Sequence, residues 1–466
     1  MNLAHTLFRS ARRLPRQPAV IEVGRAECNF GQLAQRVQRL AAALEQRLGV
    51  RPGDCVGLVM KNNAAYVELL YACWTAGACA VPVNVKLHPR ELAFILDDAR
   101  IDLCFVTGEV DTAAVAQART GPPTRFIDVD DGDYRKLAGD AAADAPQGDG
   151  DAPAWLFYTS GTTGKPKGVM LSHRNLMAMT LNYLADVDDA RTGEILLHAA
   201  PMSHGSGLYT LPNIAVGAAQ LIPASRGFDV VEIDALLSQH RGVKFFAAPT
   251  MVMRLVDQMR GDAPGLKQII YGGGPMYVAD CLRALDRLGP RMTQIYGQGE
   301  SPMTITVLPR DEHPGPRDAV HLSRLGSVGR AQTGVELAVL GEDGVPLPAG
   351  EIGEVAVRGD TVMRGYLNQP EATARTLAGG WLHTGDLGRL DAAGYLTLVD
   401  RSKDLIISGG SNIYPREVEE VLLQHPRVRE VAVIGVQDAD WGEVVVAFVV
   451  AAAAPSPAPA ELVALC

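Results

Sequence analysis

Tyr158-Thr-Ser-Gly-Thr-Thr-Gly-Lys-Pro-Lys-Gly168 is the stretch on which the reading of this chain turns. Residues 159–165 bring together four hydroxyls, two glycines and a cation. Glycines let backbone N–H groups approach oxygen closely, hydroxyls donate, and Lys165 neutralises charge, a combination suited to a polyphosphate. The stretch is not a Walker P-loop, because Thr159 stands where the first glycine belongs and Pro166 follows the lysine where Ser or Thr is required. Ser, Thr and Gly also dominate ordinary surface turns, so this composition alone does not separate a phosphate site from a turn.

Working outward, Trp155-Leu-Phe-Tyr158 reads as a strand feeding the loop. Ser172 is placed to cap a helix carrying Leu176, Met179, Tyr183 and Leu184 on one face, so the loop is expected between a strand and a helix. Upstream, Leu33, Val37, Leu40, Ala41 and Leu44 recur at helical spacing. A strand at 55–60, a helix at 66–76, a strand at 77–83, a helix at 89–98 and a strand at 103–106 follow, the order of an α/β layered fold. Residues 138–154 carry Ala, Gly, Asp and Pro with no large apolar side chain and should form a surface connection. Residues 334–365 alternate short strands and turns as a small β-rich unit. Beyond 400, a helix opening at Pro415 and strands at 431–434 and 444–450 suggest a small α+β unit. The expected organisation is a large N-terminal α/β domain of stacked sheets and helices over 1–400, including the β-rich subdomain, and an incomplete, mobile C-terminal α+β domain over 401–466.

The chain has 466 residues, 47% of them hydrophobic and 21% charged, which suits a soluble multi-domain protein with sizeable cores. A net charge of −10 gives no broad support to nucleic-acid or anionic-membrane binding, so any phosphate site must be local. Seven scattered cysteines without a CxxC pair argue against a zinc knuckle or a disulfide framework and fit a reducing cytoplasm. Arg9, Arg12, Arg13 and Arg16 without a neighbouring acid match an organelle transit peptide only superficially. No apolar run is long enough to span a bilayer.

At every position, 158–168 resembles the phosphate loop of the adenylate-forming superfamily, which includes acyl-CoA synthetases, peptide-synthetase adenylation domains and firefly luciferase. The resemblance runs in order from Phe30 to about Val450. It implies phosphate contacts from Thr159, Ser160, Gly161, Thr162, Thr163, Gly164 and Lys165. Tyr296-Gly-Gln-Gly-Glu-Ser301 is similar to the family's aromatic-Gly-x-Thr-Glu motif, which implies adenine stacking by Tyr296, nucleotide contacts from Gly297 and Gln298, and Mg²⁺ binding by Glu300. Gly299 replaces the usual Thr there, so a hydroxyl contact should be missing. Trp381-Leu-His-Thr-Gly-Asp386 implies that Asp386 accepts from both ribose hydroxyls, as a buried carboxylate can. Asp400-Arg-Ser-Lys-Asp-Leu-Ile-Ile-Ser-Gly-Gly-Ser-Asn412 implies ribose contact by Arg401, a hinge near Lys403, and a pantetheine passage along Gly409 and Gly410.

Two weaker stretches would shape the acyl side. Pro201-Met-Ser-His-Gly-Ser-Gly207 resembles the motif that gates thiol entry, pointing to His204, with Tyr209 and Thr250 nearby in role. Tyr271-Gly-Gly-Gly-Pro-Met276 resembles the segment between adenine and the acyl group, giving Gly272, Gly273, Gly274 and Pro275. The implied activity is ATP-dependent ligation of a fatty or aryl carboxylate to CoA through an acyl-AMP, with ATP, Mg²⁺ and CoA as cofactor and co-substrates and a homodimer as a possible assembly. Loading of a carrier protein is the alternative acceptor. Amino-acid adenylation is the runner-up substrate class, but no acid stands out in Ala247-Ala-Pro-Thr250 or at 272–276 to pair a buried ammonium. In the family a lysine in a Pro-x-x-x-x-Gly-Lys context bridges the carboxylate and the α-phosphate; nothing after Lys403 is a lysine. The favoured expectation is therefore a partial form of an ordinary ligase that binds nucleotide but adenylates poorly, the alternative being a binding relative that does not adenylate efficiently.

Overall fold

Strands buried on both faces need near-continuous apolar sequence, and 55–59, 79–82 and 103–106 supply it. In the computed structural model, which describes residues 1–143, 148–159, 165–401, 405–408, 411–438 and 441–466, Cys55–Val59, Cys79–Pro82, Leu103–Val106 and Arg125–Asp128 run parallel in a six-stranded sheet. Helices Ala64–Thr75, Pro89–Asp98 and Thr112–Ala118 make the crossovers. Helix Phe30–Gln46, opened by an Asn29–Gln32 capping box, buries Leu33, Val37, Leu40, Ala41 and Leu44, the stripe expected from spacing.

The last two strands of this sheet, Pro153–Thr159 and Lys167–Ser172, form an antiparallel hairpin. The loop thus joins two strands rather than a strand and a helix, which corrects the sequence reading. Val169 and Leu171 alternate inward on Lys167–Ser172, a run too short to stand out before its partner is known. The Ser172-capped helix His173–Asn182 begins only after the hairpin, and Ser172 accepts from Asn175 N as expected.

A nine-stranded sheet is mostly parallel, with antiparallel edges at Ala26–Asn29 and at Thr306–Leu308 and Arg330–Ala331. Its central strands, Val243–Ala247, Leu266–Tyr271 and Met292–Tyr296, end beside the glycine-bearing turns at 272–274 and 297–299. An antiparallel sheet of Glu336–Leu340, Gly353–Arg358, Leu382–Leu390 and Leu396–Arg401 is the β-rich unit anticipated at 334–365, completed by two later strands. A second antiparallel sheet, Ile406–Ser408, Ser411–Ile413, Val428–Asp438 and Gly442–Ala451, packs on helix Pro415–Leu422 around Ile406, Leu422 and Val433. Among the described residues no helix is long and apolar enough to cross a membrane.

Two sets of buried ionisable groups bear on stability. Lys244, with no exposed side chain, donates to Asp188 at 2.5 Å and Glu194 at 2.8 Å, and Lys267 reaches both acids. Charges taken out of water hold only while each is paired, so Asp188→Ala should cost about 3 kcal/mol or more, read as a fall in urea-unfolding free energy. His173, His198 and His313 are buried, and burial lowers each from 6.5 to about 4. The unfolded chain therefore binds more protons between these values. Stability should be fully present above pH 6.5 and decline as pH falls towards 4, a trend that unfolding midpoints at pH 7 and pH 5 will reveal.

Candidate nucleotide and acyl site

Met292–Tyr296 delivers Tyr296 to the end of its sheet, and Leu382–Leu390 brings Asp386 opposite it from the small antiparallel sheet. The Tyr296 hydroxyl donates to Asp386 Oδ2 at 2.5 Å, and Gln298 Nε2 donates to the same oxygen at 2.7 Å. Gln298 also donates to Thr384 O at 2.9 Å. Asp386 is 7% exposed, so its carboxylate is buried against Tyr296, at the end of another sheet, and Gln298, in the turn that follows. In register, Asp386 faces Arg401 across the strand pair.

Two cavities meet at this carboxylate, sharing Gly297, Gln298 and Asp386. One, about 690 Å³, is lined by Gly273, Gly274, Pro275 and Tyr296 and by Pro415, Arg416 and Glu419 of the C-terminal unit. Tyr277 donates to Glu419 Oε2 at 2.6 Å, tying the two sides beside it. The other, about 740 Å³, is lined by Thr159, Lys167, Ser203, His204, Glu300 and Tyr366.

Glu300 accepts from the Tyr366 hydroxyl through Oε1 at 2.6 Å. Its Oε2 has no hydrogen-bond partner among the described residues, leaving a hard oxygen donor of the kind Mg²⁺ takes alongside substrate phosphates. Tyr366 also lies beneath Lys167, whose Nζ sits 4.9 Å from its ring centroid. His204 shares a 2.8 Å hydrogen bond with Ser203 Oγ and packs edge-on to Phe157 at 5.3 Å. Burial lowers its pKa, which favours the neutral ring.

Several expected residues stand elsewhere. Lys165 is exposed, with Nζ 5.9 Å from the Phe94 ring centroid, and Lys167 is the lysine of that stretch that faces the cavity. Thr250 is exposed on the first turn of helix Pro249–Gln258 and lines neither cavity, because Pro249 is the residue of that turn that packs inward. Tyr209 is buried behind the site, its ring 4.7 Å from Tyr183 and 6.1 Å from Phe246. Gly272 lines neither cavity but lies where a Cβ would stand 2.3 Å from Ile295 O. The residues expected at Ser160, Gly161, Thr162, Thr163, Gly164, Lys403, Gly409 and Gly410, and the Arg401 side chain, lie outside the described residues.

Sequence reasoning missed Tyr366, Lys167, His383 and Glu354. Lys167 and His383 stood inside quoted motifs; His383 Nδ1 lies 2.8 Å from Glu354 Oε2, on the neighbouring strand of the small sheet. Tyr366 carried no local signal. It is placed by a bridge to Val169 and by Leu367 N donating to Gly168 O at 2.8 Å.

Residues 7–367 match the model of the AMP-binding enzyme family, and 417–466 match that of the AMP-binding enzyme C-terminal domain. The chain belongs to the AMP-binding enzyme family. Among relatives of this AMP-binding enzyme, a feruloyl-CoA synthase of an Amycolatopsis species is 39% identical over 450 residues, covering 95% of this chain and 87% of that protein. A medium/long-chain-fatty-acid–CoA ligase of Mycobacterium tuberculosis is 33% identical over 468 residues, covering 96% and 79%. The structure of o-succinylbenzoate CoA synthetase from Bacillus subtilis, in complex with its acyl-adenylate intermediate, superposes with a TM-score of 0.85 at 29% identity, covering 99% of this chain and 90% of that one.

In the glycine turns of this AMP-binding enzyme, Gly272 and Gly297 leave no room for a Cβ. At Gly272 the obstructing atom is backbone carbonyl, which cannot rotate away. Gly272→Ala should destabilise the fold by about 1–3 kcal/mol through forced strand displacement, as seen in urea unfolding, and should weaken AMP binding in calorimetry.

Proposed function

We propose that this AMP-binding enzyme is an ATP-dependent carboxylate–CoA ligase that makes an acyl-AMP from a fatty or aryl acid and then an acyl-CoA thioester. The observation that carries this reading is the meeting of two cavities at Asp386, one beside Tyr296 and the glycine turn, the other running past Glu300 to His204. A nucleotide across that junction would set its adenosine against Tyr296 and its phosphates towards Glu300 and Lys167.

A carboxylate is a poor acyl donor because its charge repels nucleophiles and oxide leaves badly. Attack by the carboxylate oxygen on the α-phosphate of ATP expels pyrophosphate and leaves an acyl-AMP open to a thiol. No covalent protein nucleophile is needed, so the residues act by positioning and electrostatics. Asp386, already oriented by Tyr296 and Gln298, is assigned to the ribose hydroxyls. Thr159, Lys167 and residues 160–164 are assigned to the phosphates. Glu300 is the carboxylate that would hold a magnesium ion, which when bound supplies charge neutralisation to the phosphates. His204, neutral and stacked edge-on to Phe157, is assigned to the thiol approach.

The acid is read as mainly apolar. Next to His204, Gly205 is packed against Phe246 and Met303, where a Cβ would lie 2.7 Å from Met303 Cε and 3.1 Å from Phe246 Cδ1, and this apolar cluster is taken as the acyl side. No acid among these side chains would pair a substrate ammonium. Units 1–400 and 401–466 are taken as the two working domains, with the Tyr277–Glu419 hydrogen bond between them. The seven free cysteines are in keeping with the reducing cytoplasm as the place of work.

The test is thioester formation from synthetic acyl-adenylates and CoA across aryl, fatty and amino acids, followed by mass spectrometry. Aryl or fatty acyl-CoA should appear and aminoacyl-CoA should not. Silence with every adenylate would overturn the ligase reading. In the same system Asp386→Ala should weaken AMP binding about tenfold or more, the loss expected for hydrogen bonds to a charged group.

A further inference from the structure

The mechanism leaves one pair of nucleophilic side chains unused. Cys55 and Cys79 open adjacent parallel strands of the six-stranded sheet, and their Cα atoms are register partners. Neighbouring strands lie about 4.8 Å apart, inside the range of roughly 4.4–6.8 Å over which a disulfide can join two Cα atoms. Register partners point to the same face, so the two thiols stand side by side on adjacent strands. Cys55 is half-buried and so within reach of a small solute, whereas Cys79 is 2% exposed. The neighbouring Cys79 lowers the pKa of Cys55, and that pairing together with burial raises Cys79, so the accessible member of the pair is the one that ionises.

The pair is wired to the phosphate side. Strand Cys79–Pro82 pairs directly with strand Pro153–Thr159, which leads in sequence to residues 160–164. In that strand, Tyr158 lies within electrostatic range of both thiols and donates to Asp98 Oδ2 at 2.7 Å. A covalent bond drawing Cys79 towards Cys55 would pull on strand Cys79–Pro82 and shift its neighbour Pro153–Thr159.

We propose that Cys55 and Cys79 form a reversible dithiol–disulfide modification site, closed by a hydroperoxide, whose oxidation weakens nucleotide binding through strand Pro153–Thr159. The Cys55 thiolate sulfur attacks one peroxide oxygen. The O–O bond breaks, the other oxygen leaves as alcohol or water after taking a proton, and Cys55 becomes a sulfenic acid. The Cys79 sulfur then attacks the Cys55 sulfur, the S–S bond forms, and the departing hydroxide takes the Cys79 proton and leaves as water. Two thiols lose two electrons and the peroxide gains them. An external dithiol reverses the step by exchange. Paired cysteines in a reducing compartment are the setting in which disulfides are transient and sensing rather than structural.

The experiment treats the protein with hydrogen peroxide, blocks remaining thiols, and maps linked peptides by mass spectrometry while calorimetry follows AMP affinity. The expected result is a Cys55–Cys79 link, a loss of AMP affinity restored by dithiothreitol, and no such loss in Cys55→Ala, which should bind AMP normally before oxidation. Cys79→Ala is the second variant and should be equally insensitive. A Cys55–Cys73 link, no link at all, or an equal loss of affinity in Cys55→Ala would overturn the proposal.

Discussion

One carboxylate joins the parts of this molecule that have to meet. Asp386 comes from an antiparallel sheet whose own ladder does not extend to the nine-stranded sheet, yet its buried charge is received there by Tyr296 and Gln298. A carboxylate at that depth is tolerable only with donors, so the cost of losing these bonds adds to the apolar cluster that docks one sheet on the other. Gln298 adds a bond to Thr384 O, so the contact involves the neighbouring backbone as well as one side chain. The cavities lie where the two sheets are held together by these polar groups and by a shared apolar cluster that includes Tyr296, Val328, Val355, Leu382 and Leu396.

Much of the framework was legible because local and global preferences agree. Helix Pro89–Asp98 starts at a proline, carries Leu92, Ala93, Ile95 and Leu96 inward, and stops where read; strand Leu103–Val106 is apolar at all four positions and buried at all four. The hairpin at Pro153–Thr159 and Lys167–Ser172 was not legible. Its second strand is short and begins with residues typical of a loop, and its identity depends on a partner and on a bridge to Tyr366.

The site divides in the same way. Tyr296, Glu300 and Asp386 stood in contiguous motifs and fall around one junction. Tyr366 could not be found from its neighbours, since its position is set nearly two hundred residues away by the hairpin edge. Lys165 and Lys167 illustrate a subtler limit. Both are cations in one stretch, but only Lys167 falls within strand Lys167–Ser172, which the sequence reading took for loop and which carries it to the cavity.

The wall around Gly205, Phe246 and Met303 is built differently from the Asp386 junction. Here the side chains of Phe246 and Met303 close over the backbone of Gly205, with Met303 held at a backbone φ of +60°. A methionine thioether is adaptable, and exchange among apolar side chains of similar volume costs little. Substrate range can therefore drift by repacking this wall while the nucleotide end stays fixed by its charges. The architecture separates what must be kept from what is free to vary, and a lineage could acquire a new acid without rebuilding the chemistry that activates it.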